Sequence, residues 1–148
     1  MLINVCVTAE INPDDKSKII MKRLGKGYSH ILIEYKENIY HCTGEGVHKD
    51  SLSEFLKTHK IVGSKIVELN INDCCFEWFV KGNLDKEYSE GQFVGIVFPH
   101  LEKFVKDGRQ ELICSEFVAW VLELMAGYKF NEELDFIDPV ECFEFIVA

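Results

Sequence analysis

Two strand-like runs that lie close together in the sequence constrain the fold more than any other feature. The first, residues 28–35 (YSHILIEY), is apolar on both faces, and the second, residues 39–43 (IYHCT), follows after the short polar turn at 36–38. A strand that is apolar on both faces is typical of the interior of a sheet. We therefore expect an antiparallel hairpin whose first strand lies at the centre of a small sheet.

Further elements surround this hairpin without linkers, repeats or low-complexity stretches. The pattern predicts strands at 2–8 and 65–69 and helices at 13–24, 51–58, 73–82, 114–126 and 139–145. The expected caps are Asn12, Ser51, Asn72 and Asp138, and the expected terminating glycines are Gly25 and Gly127. The apolar run 93–98 fits a strand and a buried helix equally well. Strands grouped around a hairpin, with helices before and after them, indicate an α+β fold.

Composition limits the class of protein. A chain of 148 residues with 47% hydrophobic content is expected to form one globular domain, residues 1–148, with a single core. Sixteen basic and 25 acidic residues give a net charge of −9, which disfavours nucleic acid and anionic membrane surfaces as partners. The start of the chain lacks the basic segment of a secretory signal, and no apolar run approaches membrane-spanning length. We therefore expect a cytoplasmic protein without stable membrane association, whose oligomeric state the sequence leaves open.

One of the six cysteines stands in a position that favours reactivity. Without a secretory signal or a C-x-x-C pair, all six are expected to be free thiols, and no metal or cofactor site is predicted; a site built from His41, Cys42 and distant residues is left open. Cys114 lies where a polar loop ends and a strongly apolar helix begins. The first turn of a helix has unpaired N–H groups and carries the positive end of the helix dipole, so this thiol is expected to ionise readily.

Two histidines on the hairpin are candidates for a base beside the Cys114 thiol. His30 lies near the beginning of the first strand and His41 lies on the second. A cysteine, a base and a group that orients the base are the three parts of nucleophilic catalysis. The remaining histidines fall in polar or loop segments and are expected at the solvent-exposed surface: His48, His59 and His100.

The register of the hairpin leaves two candidates for the group that orients His30. With a two-residue turn at 37–38, Glu34 pairs with His41 and His30 falls opposite Glu45. Residues 41, 43 and 45 share one side of a strand, because side chains alternate with a period of two. His41 is then offset along the face of His30 and reaches it only if the strands bulge or bend. Glu45 is therefore a rival to His41.

The order of these segments resembles the circularly permuted papain-like cysteine hydrolases of the NlpC superfamily. The matching segments are YSHILI at 28–33, IYH at 39–41, SLSEFL at 51–56, ICSEFV at 113–118 and IDPVECF at 137–143. The similarity therefore extends from Tyr28 almost to the C-terminus. In papain the cysteine precedes the histidine in the chain. Here His30 comes first, as in the permuted branch, which includes the lecithin:retinol acyltransferase-like enzymes.

This resemblance implies a papain-like α+β fold with a small central antiparallel sheet and the nucleophile at a helix N-terminus. It implies that Cys114 is the nucleophile, His30 the base and His41 the residue that orients it. A histidine in the third position is similar to the acyltransferase-like members, whereas a glutamate is more usual in the permuted amidases. The candidates for supporting roles, including stabilisation of the oxyanion, are Ser115, Tyr28 and Tyr40.

The activity that the resemblance implies is cleavage of an amide bond, in a peptide, an isopeptide or a cell-wall stem peptide, through an acyl-thioester on Cys114. A cell-wall substrate fits a chain without a signal only if the protein is released on lysis, as a phage-encoded product is. One alternative is an acyltransferase or thioesterase acting on a lipid or acyl conjugate. The other is a non-catalytic binding module with an inert thiol. The expected partner is a peptide- or acyl-containing substrate, with no cofactor.

Overall fold

An antiparallel sheet of five strands is the centre of the fold. The computed structural model describes residues 1–43, 46–83, 87–88, 111–130 and 137–148. The strands in these segments are β1 (Leu2–Glu10), β2 (His30–Tyr35), β3 (Asn38–Thr43), β4 (Gly46–Ser51), β5 (His59–Glu68), β6 (Glu87–Tyr88) and β7 (Glu111–Leu112). The helices there are α1 (Asp15–Leu24), α2 (Leu52–Phe55), α3 (Asp73–Asn83), α4 (Cys114–Ala126) and α5 (Pro139–Val147).

The order of the strands confirms the predicted α+β class and the interior position of the first hairpin strand. The five-stranded sheet has the order β4-β3-β2-β1-β5, and every neighbouring pair in it is antiparallel. β6 and β7 form a separate parallel pair of two residues each. β2 therefore has a strand on each side and is the third of five, as its apolar sequence predicts.

The sequence does not reveal two parts of this sheet. β4 was not predicted, because four of its six side chains are partly or fully exposed and its C-terminal half, Lys49-Asp50-Ser51, is polar. β5 begins at His59, six residues before the predicted strand, and only Val67 in it is buried. An edge strand with little burial carries no period-two pattern, so its main-chain pairing with β1 decides its length. The ambiguous run 93–98 lies outside the described residues.

The register of the hairpin differs from the predicted one by two residues. The turn consists of Lys36 and Glu37, with φ of 48° and 61°, and not of residues 37–38. Ile33 consequently pairs with Tyr40. Positive φ at both central residues is typical of the two-residue turn that matches the twist of a β-hairpin, although Asn-Gly is the usual sequence for it. The predicted pairing of Glu34 with His41 is therefore wrong.

The two faces of the sheet bury different clusters. One face carries alternate side chains of β1, β2 and β3, and helices α4 and α5 pack on it. The members from the strands include Val5, Val7, Ile31, Ile33, Tyr40 and Cys42. The other face carries a smaller cluster formed by Cys6, Leu32, Ile39 and Phe55. His30 and His41 lie on this second face, because they alternate with Ile31 and Tyr40 along their strands.

Most of the predicted helix ends are confirmed. Gly25 and Gly127 close α1 and α4 with φ of 66° and 74°, the left-handed conformation that glycine favours. Asp138 accepts hydrogen bonds from two N–H groups of α5 in a capping box with Glu141. α1 is capped by Asp14 and not by Asn12, and the predicted side-chain cap at Ser51 does not form. In the described segments, none of the helices has the length and apolar character needed to cross a membrane.

Candidate active site

Cys114 is the first residue of α4, as predicted. Ile113 precedes it with an extended backbone, and the first hydrogen bond of the helix joins the Phe117 N–H to the Ile113 carbonyl at 3.1 Å. The N–H groups of Cys114 and Ser115 therefore precede the first helical hydrogen bond. Cys114 is 8% exposed, and it lines a cleft of about 770 Å³.

The thiol of Cys114 is harder to ionise than its place in the helix predicts. Burial raises its pKa from the ordinary value of 9.0 to about 11, although the main-chain N–H groups of Ile31, Ser115 and Cys114 itself act in the opposite direction. The prediction of a readily ionised thiol is therefore wrong. The sulfur is a neutral thiol at pH 7, and a nearby base is needed for it to act as a nucleophile.

Two histidines and a carboxylate form a hydrogen-bonded chain in the same cleft. The Nε2 atom of His30 lies 2.9 Å from the Nδ1 atom of His41. The Nε2 atom of His41 lies 2.7 Å from Oδ2 of Asp50. The His41 side chain is 6% exposed, whereas that of Asp50 is 50% exposed. The chain of contacts therefore runs from the edge of the cleft to the His30 ring.

The corrected register explains why the two histidines meet. The ladder between β2 and β3 ends at the pair Ile33–Tyr40, so His41 is the first residue of β3 beyond it. Side chains two residues apart share a face of a strand, so His30 lies on the face of Leu32 and His41 on the face of Ile39, which is the same face of the sheet. The shift of two residues places His41 nearer to His30 along the strands than the predicted register does, and the two rings meet at 2.9 Å just beyond the end of the ladder. The Phe55 ring packs edge-on against His41 at 5.5 Å and supports its orientation.

Both histidines are uncharged in this environment. Burial holds the pKa of His30 well below 6.5, and the neighbouring His41 and His59 lower it further. Burial also lowers the pKa of His41, with the hydrogen bond to Asp50 acting in the opposite direction. A neutral imidazole has one bare ring nitrogen that accepts a proton. His30 is therefore in the protonation state that a general base requires at pH 7.

The Cys114 thiol reaches the region of the histidines where the hairpin opens. β2 pairs with β3 only through residues 33–35 and 38–40. Residues 30–32 of β2 therefore have no main-chain pairing with β3. The sulfur lies close to the main-chain N–H of Ile31, the residue after His30. Cys114, His30 and His41 all line the cleft. Within the described part of the chain, no hydrogen bond joins the Cys114 sulfur to either ring.

The residues predicted for supporting roles have other contacts. The Ser115 hydroxyl donates to the Ile137 carbonyl at 2.5 Å, and its main-chain N–H lies near the Cys114 sulfur. Tyr40 is fully buried in the main core, where its hydroxyl donates to Glu77 at 2.5 Å. Tyr28 is buried in the same core. Of these residues Ser115 alone lines the cleft. The rival third residue, Glu45, lies outside the described residues.

Sequence reasoning missed three side chains at this site. Asp50 lies on β4, whose pairing with β3 sets His41 opposite His48, so Asp50 shares their face. Prediction of β4 would have revealed it. His48 and His59 were expected at the solvent-exposed surface, but the His48 ring lies 6.0 Å from that of His41 and His59 lines the cleft, stacked on Phe55 at 4.1 Å. His100 lies outside the described residues.

The other cysteines differ sharply from one another in exposure. None of the six cysteines forms a disulfide; Cys74 and Cys75 are exposed and the other four are buried. Among the residues that the structure describes, no three His, Cys, Asp or Glu side chains are arranged to hold a metal ion.

Comparisons of the chain with protein-family models, with curated protein sequences and with solved structures returned no match. The chemistry of the cleft is therefore inferred from the positions of Cys114, His30, His41 and Asp50.

Proposed function

We propose that the protein is a thiol-dependent hydrolase that cleaves an amide bond, in a peptide, isopeptide or cell-wall stem peptide, through an acyl-thioester on Cys114. The observation that carries this proposal is a single cleft that holds a thiol at a helix N-terminus and a hydrogen-bonded pair of neutral histidines. These are the nucleophile, base and orienting group of covalent catalysis. The same arrangement is expected of a circularly permuted papain-like hydrolase of the NlpC superfamily, and we propose that class for this chain.

Acylation begins with His30 as the general base. Since the pKa of the Cys114 thiol is about 11, the proton moves to His30 as the sulfur attacks the carbonyl carbon, and not before. A bond forms between sulfur and carbon while the carbonyl electron pair moves to oxygen. This transfer requires the His30 ring to approach the sulfur, as catalytic groups do when substrate binds.

Collapse of the tetrahedral intermediate breaks the carbon–nitrogen bond. The amine leaves with the proton that His30 holds, and the acyl group remains on Cys114 as a thioester. Water then attacks the thioester carbonyl while His30 accepts its proton, and the carboxylic acid leaves as the thiol is restored. The N–H groups of Ile31 and Ser115 lie close to the sulfur, and we assign them to hydrogen bonding with the oxyanion of the tetrahedral intermediate.

A second candidate function is transfer of the acyl group to an acceptor other than water. The histidine in the third position, His41, favours it, because acyltransferase-like members of the proposed superfamily have histidine there. An alcohol or amine acceptor uses the same first half of the reaction. Adding an amine acceptor and measuring whether acyl amide forms faster than free acid separates the two functions.

The acyl-enzyme itself can be trapped with an activated ester. In a Cys74→Ser/Cys75→Ser background, which removes the two exposed thiols, p-nitrophenyl acetate is expected to acetylate Cys114. Intact-mass spectrometry and release of the group by hydroxylamine identify the thioester. We expect Cys114→Ala to abolish the reaction and His30→Gln to slow it by about 10²-fold, the usual contribution of a general base. Acetylation that is equally fast in the His30 variant would contradict the role of His30 as the base. The non-catalytic binding module would then be the remaining hypothesis.

A further inference from the structure

We infer that Asp50 is a positioning residue which, through His41, fixes the proton of His30 on Nε2 and leaves Nδ1 as the nitrogen that accepts the Cys114 proton. The inference deepens the proposed function and rests on it for the identity of the base. It depends on the two contacts of 2.7 Å and 2.9 Å that join the three side chains.

The first step is the contact between Asp50 and His41. A carboxylate accepts hydrogen bonds and has no proton to donate, so His41 must carry its proton on Nε2 to make the 2.7 Å contact. His41 is neutral because burial lowers its pKa. The Nδ1 atom of a neutral ring that is protonated on Nε2 is a bare acceptor.

The second step carries this assignment to His30. The bare Nδ1 of His41 lies 2.9 Å from Nε2 of His30, so His30 must donate from Nε2 to satisfy the contact. Its own Nδ1 then holds a lone pair. If His30 alone changed tautomer, two lone pairs would face each other between the rings, and if His41 alone changed, two protons would. If both changed, the bare Nε2 of His41 would face the Asp50 carboxylate. One exposed carboxylate therefore determines the proton positions on two rings, one of which is almost fully buried.

The charged and titratable groups that face His41 act on its charge in opposite senses. The His41 ring faces His48 and Asp50, which lie on β4. His59, on β5, lies on the far side of the Phe55 ring. The two histidines disfavour positive charge on His41, whereas the Asp50 carboxylate favours it. When His30 takes the thiol proton, the same carboxylate, transmitted through the polarised His41 ring, stabilises the imidazolium that forms.

The matched substitutions are Asp50→Asn and Asp15→Asn. Both replace a carboxylate with an isosteric amide, but Asp15 is an exposed residue of α1 whose ion pair is with Lys18. Two-bond proton–nitrogen NMR correlations report which ring nitrogen is protonated, without any substrate. We expect Nε2–H on both His30 and His41 in the wild type and in Asp15→Asn. Asparagine offers His41 Nε2 a donor as well as an acceptor, so Asp50→Asn no longer excludes the Nδ1–H form of His30, and we expect that form to appear.

The rate of Cys114 acetylation is the second measurement. We expect Asp50→Asn to lower it by about 10²-fold and Asp15→Asn to leave it unchanged; in serine proteases the same exchange at the triad aspartate costs about 10⁴-fold through the wrong tautomer. An Nδ1–H tautomer of His30 in the wild type overturns the inference, as does an unchanged acetylation rate in Asp50→Asn. Because NMR reads the tautomer without chemistry, a wild type that is not acetylated at all is a failure of the proposed function and is recognised as such.

Discussion

At the scale of single residues, burial outweighs the helix N-terminus at Cys114. Charge at a helix end is typically stabilised by about 0.3–1 kcal/mol, which is less than one pKa unit. The thiol nevertheless has its pKa raised from 9.0 to about 11, because its side chain is only 8% exposed. The sequence correctly predicts where the thiol lies but not its ionisation, which depends on the residues packed around it.

Alkylation over a pH series tests this balance. With iodoacetamide at pH 7 we expect Cys74 and Cys75, which are exposed, to react well before Cys114. Labelling of Cys114 is then expected to rise with pH toward about 11, because the thiolate is the form that reacts. Peptide mass spectrometry measures the extent of alkylation at each cysteine. Protein unfolded in urea is the control, because all six thiols are then equally accessible to the reagent. Faster labelling of Cys114 than of Cys75 at pH 7 would contradict the raised pKa.

At the scale of elements, the turn between β2 and β3 sets the geometry of the site. Lys36 and Glu37 both have positive φ, a conformation that costs non-glycine residues about 1–2 kcal/mol. The strands on either side hold it, because β2 and β3 each pair with a second strand as well. The position of this two-residue turn sets the register that brings His41 beside His30.

Relief of that strain is expected to stabilise the protein. Glu37→Gly suits the positive φ of 61° and should raise the free energy of unfolding by about 1 kcal/mol, or the melting temperature by about 3 °C. Glu68→Gly on β5 is the matched control; there the backbone is an extended strand, and glycine is expected to destabilise by about 0.5–1 kcal/mol. Thermal unfolding followed by circular dichroism measures both. A loss of stability in Glu37→Gly would show that the turn is not strained.

At the scale of the whole molecule, the fold buries titratable groups in their neutral forms. His30 and His41 have lowered pKa values, whereas burial raises those of the thiols of Cys6, Cys42, Cys114 and Cys142. As pH falls, the unfolded chain therefore binds protons on its histidines before the folded protein does. As pH rises, the unfolded chain releases thiol protons before the folded protein does. Stability therefore depends on pH at both ends of the range.

These groups predict a plateau of stability between about pH 6.5 and 9. Below pH 6.5 the unfolded chain protonates its histidines first, so the free energy of unfolding falls as pH falls, by up to about 1.4 kcal/mol per pH unit for each group. Above pH 9.0 the unfolded chain loses thiol protons first, and stability falls as pH rises. Urea unfolding at a series of pH values measures the profile, and His30→Gln/His41→Gln is expected to flatten its acidic side. An acidic side as steep as that of the wild type would contradict this account.

Local chemistry lets the sequence alone determine much of this protein. The hairpin, the interior strand, the start of α4 at Cys114 and the caps at Gly25, Gly127 and Asp138 are set by neighbours within a few residues, and the structure has all of them. Patterns of burial and capping are short-range, so they can be recognised without knowledge of the whole fold.

The tertiary structure alone decided the remaining features. The register at Ile33 and Tyr40, the place of Asp50 on a polar strand and the neutral state of the thiol depend on contacts between segments far apart in the chain. A period-two pattern fits two registers that differ by two residues equally well, since both keep the same face buried. Desolvation likewise depends on everything that surrounds a group. Pairing energy and packing across the sheet settled what local preference left undetermined.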